Sequence, residues 1–385
     1  MTSTEMQERI LSGQIWSDFC DRLKKTGELI RDPSNPQDVT TQALGYRYLT
    51  RILRAGLERS VDYADPQYPA FYRLADDTKK ILNDNPDNYY ENCAVDPRFE
   101  YRISGHRGSV RWFSVGVKAG AGNVESMAST GEIDSGQMSF DQDGRFEILL
   151  GKTRKPGNWL PMTDASSNLV VRQTFGNRKL EERATFAIEC LNPERPNNNL
   201  IPEELDARLG QAMTFLENTV GLGLGWTKTY RENTLNALPS HHQPTLQAAG
   251  GDPTIHYYQS HWELEPDEAL AIQIDAMPEC QTWNFQLSNY WMESLDHRFF
   301  DISVNKFTAR YEEDGSIRIL VAHQDPGPGH GNWLNTLGHD QGGMLGRIVG
   351  AESDWPKAWS TEVVRFADIS DHSDISGAAD TTRNA

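Results

Sequence analysis

Apolar residues recur at helical spacing near the start of the chain. Trp16, Phe19 and Leu23 stand three and four residues apart, which places them on one face of a helix. The same spacing predicts a second helix over residues 40–57 and a weaker third helix that ends near Leu82. An Asn- and Asp-rich segment with a proline follows and predicts a loop. The chain therefore begins with a predicted helical region.

From residue 89 onward the apolar positions alternate, as they do in strands. Strands are predicted over residues 101–105, 110–117, 138–140, 145–150, 169–175 and 184–189, and again over 268–274, 283–287, 300–304, 307–311 and 317–323. One helix separates the two sets, beginning at Pro202 and ending at the glycine run 221–225. The pattern predicts a mainly β chain with an N-terminal helical region (α+β), holding two tandem antiparallel β-sandwich or jelly-roll-like modules.

The predicted boundaries follow these changes of pattern. They are a helical region 1–88, a first β-module 89–200, a helix and linker 201–258, a second β-module 259–367, and a disordered tail 368–385 that is rich in Asp, Ser and Thr.

The two modules also resemble each other. The first holds Asp-Gly at 143–144, then Gly-Asn-Trp-Leu at 157–160, then Arg172. The second holds Asp-Gly at 314–315, the same four residues at 331–334, then Arg347. The same features in the same order at similar spacing predict an internal duplication.

Charge and motif content narrow the class of protein. The net charge is −18, which argues against broad contact with nucleic acid or an anionic membrane. No run approaches 18 apolar residues, and the four scattered cysteines do not suggest a disulfide framework or a zinc finger. Nucleotide- and dinucleotide-binding signatures are absent, so no organic cofactor is expected. These features predict a cytoplasmic protein that acts on a small molecule and could form a homo-oligomer.

Candidate chemistry concentrates after the last predicted strand. His323, Asp325, His330 and His339 lie within 17 positions, in a loop rich in glycine and proline. Because His323 and Asp325 are two residues apart at a strand end, we expect them to share a face. One hypothesis makes His323, Asp325 and His330 catalytic through acid–base chemistry. In a second hypothesis, a divalent metal ion is bound by His323, Asp325, His330 and His339. In the third, the histidines only hydrogen-bond the loop.

Aromatic and arginine side chains supply the candidate binding residues. Each module offers one pair of such residues, Trp159 with Arg172 and Trp333 with Arg347. In one interpretation the tryptophans fill the core and the arginines pack against them. In the other, the tryptophans stack on a ligand and the arginines bind its charge. A second cluster includes Tyr290 and Trp291, either as core residues or as a pocket wall. The remaining candidate is Arg107, which lies in a glycine-flanked turn and is either solvated or an anion clamp.

Four segments together resemble a known family. They are Asn-Pro-Asp-Asn-Tyr-Tyr at 85–90, Tyr-Arg-Ile-Ser-Gly-His-Arg-Gly at 101–108, the first Gly-Asn-Trp-Leu at 157–160, and Asp-Pro-Gly-Pro-Gly-His-Gly-Asn-Trp-Leu at 325–334. The chain is similar over most of residues 10–355 to bacterial proteins carrying the "domain of unknown function 1214". The resemblance implies tandem β-modules with added helices and a bacterial cytoplasmic setting. It assigns no reaction and no catalytic residue.

These observations lead to one functional hypothesis and two alternatives. The first is a cytosolic enzyme performing acid–base chemistry of lyase, isomerase or hydrolase type, without an organic cofactor, on a small, partly apolar metabolite bearing hydroxyl or carboxyl groups. The first alternative is a non-catalytic glycan- or lipid-binding protein that uses the paired tryptophans. The second is a metal-dependent enzyme that uses the His/Asp loop.

Overall fold

A computed structural model describes residues 3–120, 128–197, 199–240, 243–248, 255–351 and 355–369. The chain divides into two compact units. The first unit comprises Met1–Trp226, Pro244–Pro253 and Trp291–Glu293; the second comprises Thr227–Gln243, Thr254–Tyr290 and Ser294–Ala385. The predicted disordered tail lies outside the described residues from 370 onward, as do the loop positions 241–242 and 249–254 of the predicted linker.

Six α-helices occur in the described residues. They are α1 (Ser3–Leu11), α2 (Gln14–Thr26), α3 (Val39–Leu57), α4 (Pro202–Asn233), α5 (Gln243–Ala248) and α6 (Phe366–Ile369). The predicted second helix is confirmed as α3, which Asp38 caps by accepting a 2.8 Å hydrogen bond from the Thr41 amide. In α2 the buried face includes Phe19, but Trp16 is 62% exposed and stacks on Phe19 from the solvent side.

The predicted third helix is wrong. After a short π-helical turn at Glu58–Asp62, residues 63–87 hold no helix. Pro66 and Pro69 lack the amide protons that a helix interior requires. Tyr72 instead forms an isolated bridge with Asn92.

The predicted end of the next helix is also wrong, because α4 continues through the glycine run 221–225 to Asn233. Glycine in a helix interior costs about 1 kcal/mol relative to alanine, which packing can outweigh. Gly223 is buried against α3, where an added Cβ would lie 3.3 Å from Leu82 and 3.8 Å from the Tyr48 hydroxyl. Tertiary contact therefore keeps this segment helical where propensity alone would end it.

Seventeen strands occur in the described residues. Those of the first unit are β1 (Asn88–Ala94), β2 (Tyr101–His106), β3 (Trp112–Ala119), β4 (Ser129–Asp134), β5 (Arg145–Gly151), β6 (Asn158–Pro161), β7 (Ser166–Thr174) and β8 (Thr185–Cys190). Those of the second are β9 (Leu238–Pro239), β10 (Ile255–Glu263), β11 (Glu268–Ile274), β12 (Thr282–Leu287), β13 (Ser303–Asn305), β14 (Ile317–Ala322), β15 (Asn332–Asn335), β16 (Gln341–Val349) and β17 (Ala358–Arg365).

The predicted strands 138–140 and 307–311 are absent. Eight observed strands were not predicted: β1, β4, β6, β9, β10, β15, β16 and β17. A 3-10 turn at Ser135–Gln137 precedes the first absent strand, and an Asn305-capped turn occupies the start of the second. The glycines of β16 and the polar residues of β10 obscure the alternation that identifies a strand.

The internal duplication is confirmed by the sheet topology. The first module has sheets in the order β1-β7-β3-β4 and β6-β5-β2-β8. The second has β10-β16-β12-β13 and β15-β14-β11-β17, with β9 added at one edge. Each strand of β1–β8 thus has its counterpart, in chain order, in β10–β17. The sheets are not wholly antiparallel, since β5 pairs with β6, and β14 with β15, in parallel.

Each module buries one apolar core between its two sheets. In the first, Val115 and Leu169 come from one sheet, and Ile103 and Ile148 from the other. The second is built in the same way, with Trp283 and Phe285 among its members. This arrangement is a β-sandwich in each unit.

The repeated Gly-Asn-Trp-Leu segment has the same structural role in both modules. Asn158 accepts a hydrogen bond from the Ser139 amide and donates to the carbonyls of Ser139 and Glu147. Asn332 accepts from the Arg310 amide and donates to the carbonyls of Arg310 and Arg318. The preceding glycines have φ of 81° and 76°, a conformation that favours glycine. The asparagine therefore joins two backbone segments at the start of β6 and β15.

Two glycine substitutions test the helical assignment of α4. Gly221 is exposed with no neighbouring heavy atom within 4 Å of an added Cβ, so Gly221→Ala should raise the free energy of unfolding by about 0.5–1 kcal/mol. Gly45 of α3 is the matched control, because its Cβ would lie 2.6 Å from the Trp291 ring and Gly45→Ala should destabilise the fold. Urea unfolding followed by circular dichroism measures both; a neutral or destabilising Gly221→Ala would contradict a continuous α4.

Candidate functional site

One sheet of the second unit is apolar on one face and polar on the other. Along β10, Tyr258 and Trp262 point into the core, so alternation places Tyr257, Gln259 and His261 on the opposite face. Strands β12 and β16 follow the same rule, with Trp283, Phe285 and Ile348 in the core. We call the opposite surface the polar face; it is formed by Tyr257, Gln259, His261, Asn284, Gln286, Ser288, Ser303, Asn305, Gly343, Leu345 and Arg347.

Strand pairing arranges the polar face in three rows. Tyr257, Arg347 and Asn284 are cross-strand neighbours, and so are Gln259, Leu345 and Gln286. In the third row His261 pairs with Gly343, whose carbonyl accepts a hydrogen bond from the Ser288 amide. The polar face is buried: Gln286, His261 and Ser288 have no exposed surface, and Gln259 is 1% exposed.

Arg347 is the cation of the polar face. Its side chain is buried, and its guanidinium donates hydrogen bonds to Gln286 Oε1 at 2.6 Å and Asn284 Oδ1 at 3.5 Å. These two acceptors are neutral amide oxygens, which replace part of the hydration that the guanidinium loses on burial.

Three buried polar atoms of this face have no hydrogen-bond partner within the described protein. They are His261 Nδ1, Gln259 Nε2 and Ser288 Oγ. The other ring nitrogen of His261 has one long contact, 3.4 Å to Gln341 Oε1. Buried polar atoms in folded proteins are nearly always paired, so three unpaired ones on one face need an explanation.

The imidazole of His261 is held in its neutral form. Burial, followed by the nearby Arg231 guanidinium, lowers the pKa of His261 to about 3. The Tyr290 ring meets the imidazole edge to face at 5.8 Å, and Arg231 lies 5.8 Å over that same Tyr290 ring. At neutral pH the ring is therefore both a hydrogen-bond donor and an acceptor.

Two residues predicted from the sequence lie at this site: Arg347 on the polar face and Tyr290 against His261. Sequence reasoning missed His261, Gln259, Gln286 and Ser288. The signal available was the alternation of polar and aromatic residues in Ile255–Glu263, a segment that lies partly in the predicted linker 201–258.

The predicted pairing of His323 with Asp325 is not formed. His323 Nδ1 lies 2.9 Å from Thr336 Oγ1, while its Nε2 is buried without a partner. Asp325 is exposed and accepts a 2.8 Å hydrogen bond from the Gly327 amide. Because β14 ends at Ala322, the strand alternation that would align the two side chains does not reach Asp325.

The proposed metal cluster is not assembled either. His330 lies half-buried in the same loop, and the His339 amide donates to the Thr336 carbonyl. Across the residues that the structure describes, no group of three or more His, Cys, Asp or Glu side chains is placed to hold a metal ion.

The tryptophans are not brought together with their arginines. Trp333 packs on the outer face of its sheet against the small apolar cluster that includes Leu320, and its indole donates to the Ala322 carbonyl. Arg347 lies in the other sheet. Trp159 lies in one sheet of the first module under the Arg154 guanidinium, and Arg172 lies in the other. The proposed stacking platform with a charge clamp is therefore not formed in either module.

Two further predicted binding residues have structural partners in the first unit. The Arg107 guanidinium donates to the carbonyls of Val110 and Arg111, which holds its own turn. Trp291 is buried, and its indole donates to the Thr41 carbonyl at 2.9 Å.

Comparison with known proteins identifies the repeated module. The family described as "Protein of unknown function (DUF1214)" matches residues 91–174 and 261–352, one segment in each module. An uncharacterized protein from Burkholderia cenocepacia has a crystal structure that is 44% identical in sequence, with a TM-score of 0.89, covering 94% of this chain and 99% of that one.

A second solved structure, of a protein from Vibrio parahaemolyticus, shares the fold at 11% identity. Its TM-score is 0.50, and the match covers 88% of this chain and all of that one. No curated protein matches the sequence at a significant level. None of the helices in the described residues is long and apolar enough to cross a membrane. With both modules matched and 44% identity to the Burkholderia protein over almost the whole length, the chain belongs to the DUF1214 family.

Proposed function

We propose that the chain binds a small polar metabolite on the polar face of the second unit. The observation that carries the proposal is the set of three buried, unpaired polar atoms on His261, Gln259 and Ser288. A bound molecule with hydroxyl or carbonyl groups would supply the partners that these atoms lack.

The energetic cost of the polar face favours this proposal over a purely structural role. A buried donor or acceptor without a partner costs about 1–3 kcal/mol, so three cost several kcal/mol in total. Apolar residues of similar size at the same positions would avoid that cost. A binding site accounts for it, because the unpaired atoms become hydrogen bonds when the ligand is present.

The side chains also restrict the chemistry of the ligand. Gln259 Nε2 is a donor, whereas Ser288 Oγ and the neutral His261 Nδ1 can each donate or accept. Tyr257 and Leu345 lie on the same face and supply apolar surface. A partly apolar molecule with hydroxyl or carboxyl groups matches this combination.

Acid–base catalysis at His323 is a second candidate function, and one observation favours it. The Thr336 hydroxyl fixes one ring nitrogen of His323, and the opposite nitrogen has no partner within the described protein. A base oriented through one nitrogen, with the other available to a reacting group, is a recurrent catalytic arrangement. In this hypothesis Thr336 replaces Asp325 as the group that orients the imidazole.

A matched pair of serines tests the binding proposal. Ser288→Ala removes an unpaired hydroxyl, so we expect unfolding free energy to rise by up to about 1 kcal/mol while affinity for bound fragments falls. Ser260 is equally buried but bonds to Thr234, so Ser260→Ala should destabilise the fold. Denaturation and crystallographic fragment screening measure the two effects. A Ser288→Ala variant that loses stability and keeps its fragments would contradict the proposal.

The neutral state of His261 is tested by the pH dependence of stability. The folded chain holds the pKa of His261 near 3, whereas the unfolded chain protonates it near 6.5. Acidification from pH 7.5 to 5.5 therefore favours the unfolded state, by about 1 kcal/mol from this ring. His261→Asn should lose less stability over this range, while the loop variant His330→Asn should behave like the parent. Equal losses in all three would show that His261 is not held neutral.

Proton transfer at His323 is tested by isotope exchange. Molecules found on the protein are incubated with it in D₂O, and exchange of their carbon-bound protons is followed by NMR. His323→Gln should abolish catalysed exchange, Thr336→Val should slow it, and His330→Gln should retain it. Catalysed exchange that survives His323→Gln, or no catalysed exchange with the parent protein, argues against this second function.

A further inference from the structure

Two arginine side chains contact the ring of one tyrosine at an end of the first β-sandwich. The Arg73 guanidinium lies 4.1 Å from the centroid of the Tyr89 ring, and the Arg183 guanidinium lies 4.4 Å from the same centroid. Tyr89 belongs to β1, and the segment that carries Arg73 runs beside that strand, where Tyr72 bridges to Asn92. Cation–π attraction to a shared ring therefore holds two like charges close together.

The N–H groups of both guanidinium groups are available to a ligand. Within the part of the chain that the structure describes, neither Arg73 nor Arg183 forms an ion pair or a side-chain hydrogen bond, and Arg73 Nε is buried without an acceptor. Several other arginines of this unit are paired, as Arg51 is with Glu293. Because acidic residues outnumber basic ones by 55 to 37, two neighbouring arginines without an ion-pair partner need an explanation.

Glu91 is an acidic residue near both arginines, and it does not pair with either. Its carboxylate accepts a 3.3 Å hydrogen bond from Gln173 Nε2 and lies beyond ion-pair distance of both guanidinium groups. Burial raises the pKa of the Glu91 carboxyl, although the Gln173 amide and the two guanidinium groups act in the opposite direction. The arginines therefore attract this carboxylate without being occupied by it.

Other charged groups nearby are already engaged with the protein. The Arg178 guanidinium donates to two backbone carbonyls, and Asp87 and Asp77 attract it. The Glu181 carboxylate accepts hydrogen bonds from three backbone amides. The two arginines on the tyrosine ring differ from these groups, because no acceptor among the described residues is bonded to either.

Gln173 fixes this end of the sandwich. Its side chain donates a 3.0 Å hydrogen bond to the Ala184 carbonyl and accepts one of 2.9 Å from the Ala184 amide. Ala184 directly follows Arg183 in the chain, so Gln173 holds the backbone that carries this arginine. Because the same glutamine contacts Glu91, one buried side chain positions both the carboxylate and the arginine.

The corresponding end of the second module lacks this set of residues. Aligned on Arg172 and Arg347, the strands of the second module hold His256, Tyr258 and Ile348 where those of the first hold Tyr89, Glu91 and Gln173. Two of these counterparts, Tyr258 and Ile348, belong to the apolar core of their module. The β-sandwich therefore folds without the carboxylate and the amide, which are particular to the first module.

We propose that Arg73 and Arg183 bind a small tetrahedral oxyanion, such as the phosphate group of a metabolite. Guanidinium groups present paired N–H donors that match phosphate oxygens, and the resulting hydrogen bonds are charge-assisted. A tetrahedral anion offers oxygens in several directions, so it can receive both guanidinium groups at once, whereas a planar carboxylate has only two oxygens. The site lies in the first unit and does not depend on the binding function proposed for the polar face.

Titration of the full chain with anions tests the site directly. Inorganic phosphate, sulfate and acetate are titrated by calorimetry, and we expect phosphate and sulfate to bind at one site per chain and acetate to bind about tenfold more weakly or less. Arg73→Gln and Arg183→Gln should each weaken phosphate binding about tenfold or more. Arg154→Gln is the matched control, because Arg154 also lies over an aromatic ring, that of Trp159, and this variant should bind phosphate like the parent.

Variants at two neighbouring positions complete the test. Glu91→Gln keeps the shape of the side chain and removes the charge that opposes an anion, so phosphate should bind about threefold more tightly or better. Such a gain of affinity cannot result from misfolding. Tyr89→Phe keeps the ring and should bind phosphate like the parent, whereas Tyr89→Leu removes the surface that holds both guanidinium groups and should weaken binding.

Several results would overturn the proposal. They are an absence of phosphate binding by the parent chain, acetate binding as tight as phosphate binding, phosphate binding that survives both arginine substitutions, and a Glu91→Gln variant that binds phosphate no better than the parent. An equal loss of phosphate binding in Arg154→Gln would also overturn it, because the attraction would then be non-specific. None of these outcomes bears on the polar face, where crystallographic screening detects the ligand.

Discussion

The hydrogen bond from Arg347 to Gln286 sets the character of the sheet face around it. A buried guanidinium is costly unless polar groups replace its lost hydration, and Gln286 and Asn284 do this with amide oxygens. The alternation of a strand gives every second residue to the apolar core, so these polar side chains do not disturb the core packing. The neutral state of His261 on the same face has a different cause, because burial, followed by the nearby Arg231 guanidinium, lowers the pKa of its imidazole.

The duplication separates what the module needs for folding from what differs between copies. Both copies keep the asparagine that joins two backbone segments, the glycine before it, and the parallel strand pair that follows. The repeated Gly-Asn-Trp-Leu motif therefore has a structural role, because its asparagine holds two backbone segments together through hydrogen bonds. The faces around Arg172 and Arg347 instead differ in charge and hydrogen-bonding groups, although the backbone beneath them has the same pairing. Differences on a common scaffold are where function is expected.

The fold could be predicted from sequence to a considerable extent. The α3 helix and the repeat were recognised because helical spacing and paired motifs are local signals. The continuation of α4 was not, since the packing of Gly223 against Leu82 and Tyr48 depends on residues far away in the chain. Strand β10 was missed because its polar residues are buried, whereas polar residues in a sequence normally indicate exposed positions.

The site was predictable only in part, for a related reason. Arg347 was identified through the repeat, and Tyr290 through its aromatic neighbours. Neither residue is close to His261 in the sequence, so no local pattern links them to it. The predicted His323–Asp325 pair does not form, because the strand ends before Asp325. The turn at Asp325 and Gly327 leaves the carboxylate exposed to solvent. Strand pairing, rather than spacing along the chain, brings the groups of the polar face together.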